Sequence, residues 1–183
     1  DNKNAGTSKT VTANLASNDF TAASGTLLSN YTLPTGNVIG TIGEVTKANL
    51  TLTGTKTYDG TTSFAASDVT SVAGVNSETF SVTGAAVMSS KNVQSSTNLS
   101  SLGTFALTGN SGALTSNYND LSVSNTSISV TQKAVTLTPS AITKTYDGGF
   151  TYNANASDLQ ALTSLLESGD TVSDATLQFR SSG

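Results

Sequence analysis

Two stretches concentrate the side chains best suited to chemistry. Thr-Lys-Thr-Tyr-Asp-Gly runs from Thr55 to Gly60, and the same string returns from Thr143 to Gly148, 88 positions on. Each copy brings an ammonium, a phenol and a carboxylate within five residues. The functional reading makes Asp59 and Asp147 ligand-binding carboxylates. The architectural reading makes each Asp-Gly pair the centre of a tight hairpin, because both positions tolerate positive φ. In that reading Gly60 and Gly148 supply the permissive backbone, and Asp59 and Asp147 accept the turn's own N–H groups. Tyr58 and Tyr146 then sit at a strand end, ring inward and hydroxyl bonded to backbone. A catalytic motif is needed once per active site, whereas a structural module recurs as often as its fold does. The repetition favours architecture.

Little else in the chain could carry a reaction. There is no His and no Cys, which removes the Ser-His-Asp and Cys-His arrangements and thiolate zinc sites. Glu occurs only at 44, 78 and 167, so paired-carboxylate chemistry would rest on Asp. The eight Lys and Arg are scattered singly, which argues against nucleic acid as a partner. No apolar run approaches the roughly 18 residues of a membrane-spanning helix. Asp158, Asp170 and Asp174 with Asn153 and Asn155 offer hard oxygen donors for calcium, but their spacing fits no loop template, and helix capping accounts better for Asp158. Asn-x-Ser/Thr sequons fall at Asn30, Asn49, Asn98, Asn125 and Asn155, several expected by accident where 60 of 183 residues are Ser or Thr. No specific Lys-Asn-Glu set for an isopeptide link stands out. The expectation is no catalytic residue, no cofactor and no metal.

The elements that must position the hexapeptides read as short strands. Apolar residues alternate with Thr, Ser and Asn at Val11/Ala13/Leu15, Leu50/Leu52, Phe80/Val82, Phe105/Leu107, Leu121/Val123, Ile128/Val130 and Val135/Leu137. Leu50, Leu52, Phe80, Val82, Phe105, Leu107, Val123, Ile128 and Val130 form the expected core. Turn signals such as Thr-Gly-Asn-Ser-Gly at 108–112 lie between them. One stretch departs: Leu159, Leu162, Leu165 and Leu166 follow helical spacing, with Ser157 or Asp158 to cap the start and Gly169 to end it.

The hexapeptide is one of five landmarks that recur in the same order. "KNAGTSKTV" from Lys3 answers "KNVQSSTNL" from Lys91, and "LLSNYTL" at 27–33 answers "LTSNYND" at 114–120. "VTKANLTLTG" at 45–54 answers "VTQKAVTLTP" at 130–139, and "SETFS" at 77–81 answers "GDTVS" at 169–173. The offsets stay between 85 and 92, so the unit is about 86 to 88 residues. Residues 1–48 read as the second half of one repeat, 49–135 as a complete repeat and 136–183 as the first half of a third. With no signal peptide visible and the pattern already under way at Asp1, the sequence reads as part of something longer. The fold expected is all-β: mainly antiparallel, sandwich-like modules in tandem, or alternatively β-grasp-like, with one short helix near 157–168.

"ANLTLTGTKTYDGTTSF", "ETFSVTGAAVMSSKNV" and "SNYNDLSVSNTSISVTQKAVTLTP" together resemble the YDG repeat and its MBG-type relatives. The resemblance covers nearly the whole chain, although "KNVQSST" lacks the Gly usual after Lys-Asn-Val. Such repeats stand in tandem in very large secreted surface proteins of Gram-negative bacteria, many of them filamentous-haemagglutinin-like adhesins exported by two-partner secretion. The resemblance implies a stalk or spacer at the cell surface, in cell adhesion and biofilms, and no catalytic residue. It implies neighbouring repeats of the same protein as partners. Head-to-tail self-assembly is one way for the half-repeats to be completed. A glycan- or matrix-binding module is the alternative, with Tyr31, Tyr118 and Tyr152 the only spare aromatics; the equivalent positions of Tyr31 and Tyr118 suggest packing instead.

Overall fold

Thr and Val at alternate positions favour extended backbone, where β-branched side chains fit a pleated surface, and the chain is built almost wholly of short strands. A computed structural model describes residues 2–138 and 141–179. In chain order the strands are β1 (Gly6–Leu15), β2 (Gly36–Val45), β3 (Thr51–Thr57), β4 (Ser63–Ala65), β5 (Val69–Ala73), β6 (Phe80–Thr83) and β7 (Ala85–Met88). They continue with β8 (Gln94–Thr97), β9 (Leu99–Ser101), β10 (Ala106–Gly109), β11 (Thr126–Thr131), β12 (Thr151–Asn153) and β13 (Thr176–Gln178); α1 (Ala156–Thr163) lies between the last two. The protein is all-β with one short helix, mixing antiparallel pairs with the parallel pair β3–β11.

The chain divides into two compact units. The first comprises residues 1–51, 71–82 and 107–121. It holds the long antiparallel ribbon β1–β2 and most of the β6–β10 pair. Leu50, Val72, Phe80, Ala113 and Tyr118 are buried there. The Tyr118 ring meets Phe80 edge-on at 5.1 Å.

The second unit comprises residues 52–70, 83–106 and 122–183. Its four-stranded sheet runs β5-β3-β11-β8, the part of β5 in this unit being Val69 and Thr70. A three-stranded sheet β4-β7-β9 and the pair β12–β13 complete it. β3 alternates strictly, Leu52, Gly54 and Lys56 inward and four Thr outward. A Cβ on Gly54 would collide with the Phe64 ring and the Asp68 carbonyl, so glycine lets Phe64 seat against the sheet. Leu52, Phe64, Met88, Leu99, Ile128 and Val130 are its buried apolar side chains along with Ala86.

Several strand and core expectations need correcting. β3 and β11 run parallel, Thr126 to Thr131 facing Leu52 to Thr57, which a long crossover connection permits. Val135 and Leu137 lie in a segment without regular structure. Alternation assigns side chains to faces but names no neighbour, and among the described residues no strand pairs with this segment. Leu121 precedes, and Val123 begins, a single 3₁₀ turn rather than a strand. Val82, Phe105, Leu107 and Val123 are half-buried. Phe105 lays one edge on Phe64 at 6.3 Å, and Phe64 is the fully buried ring. α1 stops at Thr163, short of 168, and its N-cap is Asn155, which accepts from the Ser157 and Asp158 amides.

Candidate functional site

The two hexapeptides adopt one local structure. Asp59 Oδ1 accepts the Thr61 amide at 3.0 Å, the Thr61 hydroxyl at 2.9 Å and Lys56 Nζ at 2.8 Å. Asp147 Oδ1 accepts the Gly149 amide at 2.9 Å and Lys144 Nζ at 2.6 Å. Gly60 and Gly148 take φ of +76° and +80°, where any other L-residue is strained. Asp therefore closes an Asx-type turn on the amide two residues ahead, and the lysine three residues earlier brackets it.

The motif is not the hairpin that Asp-Gly suggests. β3 pairs with β5 and β11, while β4 pairs with β7, so the turn carries the chain from one sheet to another. A type I′ hairpin requires positive φ at both central residues, and only the glycine has it. The tyrosines also differ from expectation. Tyr58 is half-buried and Tyr146 is 93% exposed.

Lys56 is the residue that strand alternation hides in plain view. It occupies an inward position of β3 and is buried. Its ammonium reaches the Thr61 hydroxyl at 2.9 Å and also bonds the Ser63 carbonyl. Burying a charge is unfavourable unless it is fully hydrogen-bonded, and here the turn supplies the acceptors. Burial pushes the Asp59 carboxyl up, but the bonds from Lys56 and Thr61 outweigh it and hold it below the usual range. For Asp147 the Lys144 bond is the main cause of the same shift, followed by the Gly149 amide.

The Tyr58 hydroxyl donates to Asp170 Oδ2 at 2.6 Å, and this bond is the main reason its phenol is shifted up. Lys91 Nζ stands 5.9 Å from the Tyr58 ring centroid and 3.9 Å from Asp170 Oδ1. Lys133 pairs with Glu167 at 2.6 Å. Tyr58, Asp170, Lys133 and Glu167 line an open groove of about 410 Å³ together with Val93 and Leu166. Every titratable group named there already has a partner of opposite charge or a hydrogen bond. The arrangement suits polar recognition and turn anchoring.

The candidate calcium ligands are used separately. Asp158 Oδ2 accepts the Asn155 amide at 3.0 Å and the Tyr152 hydroxyl at 2.6 Å. The Tyr152 bond leads the causes that hold Asp158 below the usual carboxylate range. Asp170 serves Tyr58. Among the described residues no three His, Cys, Asp or Glu side chains gather as a metal site. Among the sequons, Asn155 caps α1, and Asn49 Oδ1 accepts from the Asn119 side chain at 2.8 Å.

In the first unit the polar anchor is Tyr118. Its hydroxyl donates to Glu78 Oε2 at 2.7 Å and accepts the Val75 amide at 3.0 Å. Burial, then the Glu78 carboxylate, raise its pKa. The Tyr118 bond, aided by Lys3, holds Glu78 down. Sequence reading missed Glu78 and Asp170 as partners of these tyrosines, since no local signal links residues 40 and 112 positions apart.

Residues 43–127 match the YDG domain. Neither a curated protein nor a solved structure matches the chain significantly.

Proposed function

With a YDG domain at residues 43–127 as the premise, we propose that the chain is a stalk or spacer segment of a secreted surface adhesin of a Gram-negative bacterium. It would project a distal adhesive region away from the cell. One observation carries this reading: the hexapeptide inside the domain recurs 88 residues later and folds in the same way. In both copies the lysine and the aspartate bond each other and the residues just after the motif, and so build the turn itself. The carboxylates best placed for chemistry act as turn and cap acceptors, which supports a structural role over an enzymatic one.

A second reading has its own observation. Tyr31 and Tyr146 are exposed, and exposed aromatic faces stack on sugars. In this reading the modules hold glycan or matrix directly. One experiment separates the two. The full 183-residue chain is concatenated once, twice and four times, and the maximum dimension is measured by small-angle scattering. A spacer lengthens in proportion to copy number and shows no saturable binding on glycan and matrix-protein arrays. A dimension that fails to grow contradicts the spacer. Saturable binding lost in Tyr31→Ala or Tyr146→Ala supports the second reading.

A further inference from the structure

Half-repeats form some of the strand pairs that lie within a half, while the β3–β5 pair has no counterpart in the described residues after 135, where α1 takes the positions of β5. Val45 faces Gly6 and Gly43 faces Lys9 in β1–β2. Val130 faces Gln94 and Ile128 faces Thr97 in β8–β11. By the landmarks these are the same positions, Val45 answering Val130 and Gly6 answering Gln94, and the register irregularity falls at the same place in both ribbons. At the other end Tyr152 faces Leu177 in β12–β13 as Phe64, 88 residues earlier, faces Ala86 in β4–β7.

The difference lies in the pairing that joins two halves. β11 carries β3 in parallel on the edge away from β8. Among the described residues β2 has only β1 as a strand neighbour, so the matching edge is open. The described part of the counterpart of β3, residues 141–145, has no regular structure. Exposure follows the same division. Leu52 is 0% exposed and its counterpart Leu137 is 53%; Tyr118 is 2% and its counterpart Tyr31 is 65%. Ile39 and Ile42 on β2 are exposed as well. An open, apolar strand edge is a template for another strand.

We propose that the open edge of β2 receives the segment Ile142–Thr145 of a second copy of this chain as a parallel strand, building a composite repeat head to tail. The complete repeat sets the register. Ser129 faces Thr55, their hydroxyls 2.8 Å apart, so Glu44 of one copy faces Thr143 of the next. A second copy is the occupant because the two surfaces are the separated halves of a pairing this chain already makes once. They lie on different segments, so the contact is heterologous and propagates unless it closes into a ring. The inference deepens the spacer reading by naming the module's partner; its failure would leave the concatemer length test untouched.

The test uses the full chain, which has no native Cys. Glu44→Cys and Thr143→Cys are made singly at exposed positions, mixed and mildly oxidised. The control pairs Glu44→Cys with Thr136→Cys, seven residues out of register and about 23 Å along a strand. The in-register pair should cross-link on the order of tenfold faster or more, since pairing raises the effective concentration of the thiols. Wild-type mass by light scattering should rise with concentration. Equal cross-linking rates for the two pairs, or a monomer mass at every concentration, overturns the proposal.

Discussion

In both hexapeptides the lysine reaches forward to the aspartate, and the aspartate accepts an amide two residues ahead. Around them the two regions diverge. Lys56 is buried in a four-stranded sheet and Tyr58 is bonded to Asp170. Lys144 precedes no strand pair of that kind, and Tyr146 stands in solvent. The motif's shape is thus encoded by adjacent residues, whereas its burial depends on a strand 70 or more positions away. The pairs β1–β2 and β12–β13 show how far local pairing carries a chain, and the four-stranded sheet shows what the non-local parallel pair adds.

The comparison can be broken most forcefully at Phe64. Phe64→Ala empties the fully buried ring position and should cost about 3–5 kcal/mol of unfolding free energy in denaturant melts. Tyr152→Ala, at the half-buried counterpart, should cost clearly less. Equal losses would mean that the β12–β13 pair is as well packed as the β4–β7 pair. Next come the lysines. Lys56→Met takes the ammonium from the Ser63 carbonyl and the ion pair from Asp59, and should cost about 2–3 kcal/mol. Lys144→Met, whose partners reach water, should cost under about 1 kcal/mol by the same measurement.

The tyrosines give a smaller contrast with a pH signature. Tyr118→Phe removes the bonds to Glu78 and Val75 and should cost about 1.5 kcal/mol, while Tyr31→Phe should stay within about 0.5 kcal/mol. The Tyr118 phenol is shifted up in the folded state. Its stabilisation is therefore complete below the unfolded value of 10.0 and lost as pH rises above it. Wild-type melting temperature should fall at alkaline pH more steeply than that of Tyr118→Phe. The smallest effect lies on the acid side. Asp59 and Asp147 are held below 3.8, so their contribution is present above that pH and fades as pH falls below it. Replacing Asp59 with Asn should flatten acid melting more than Asp147→Asn does.

Much of this was legible in the sequence. The all-β class, the ribbon around Val11 to Leu15, the strand pattern at Ile128 and Val130, and a short helix through Leu159 and Leu162 follow from alternation and spacing. The positive φ of Gly60 and Gly148 was also within reach of the Asp-Gly signal. The parallel pairing of β3 with β11 was not, because periodicity assigns a strand its faces but not its neighbour. Val135 and Leu137 show the converse: they alternate as Leu50 and Leu52 do, yet no neighbouring strand pairs with them and they form no strand. Lys56 was readable by parity with Leu52, but its charge argued for the surface until the turn's acceptors were in view. Tyr58 and Tyr118 depend on Asp170 and Glu78, distant partners that no short window contains.

The strand that leads into the first hexapeptide is held by a non-local parallel pair, which the described residues leading into the second hexapeptide lack. Native-state hydrogen exchange of the full chain at low concentration measures this directly. Amides of Thr51–Thr57 that face β11 should exchange only through global unfolding, while those of residues 135–138 and 141–145 should exchange as freely as a loop. Equal protection of the two segments would contradict the account.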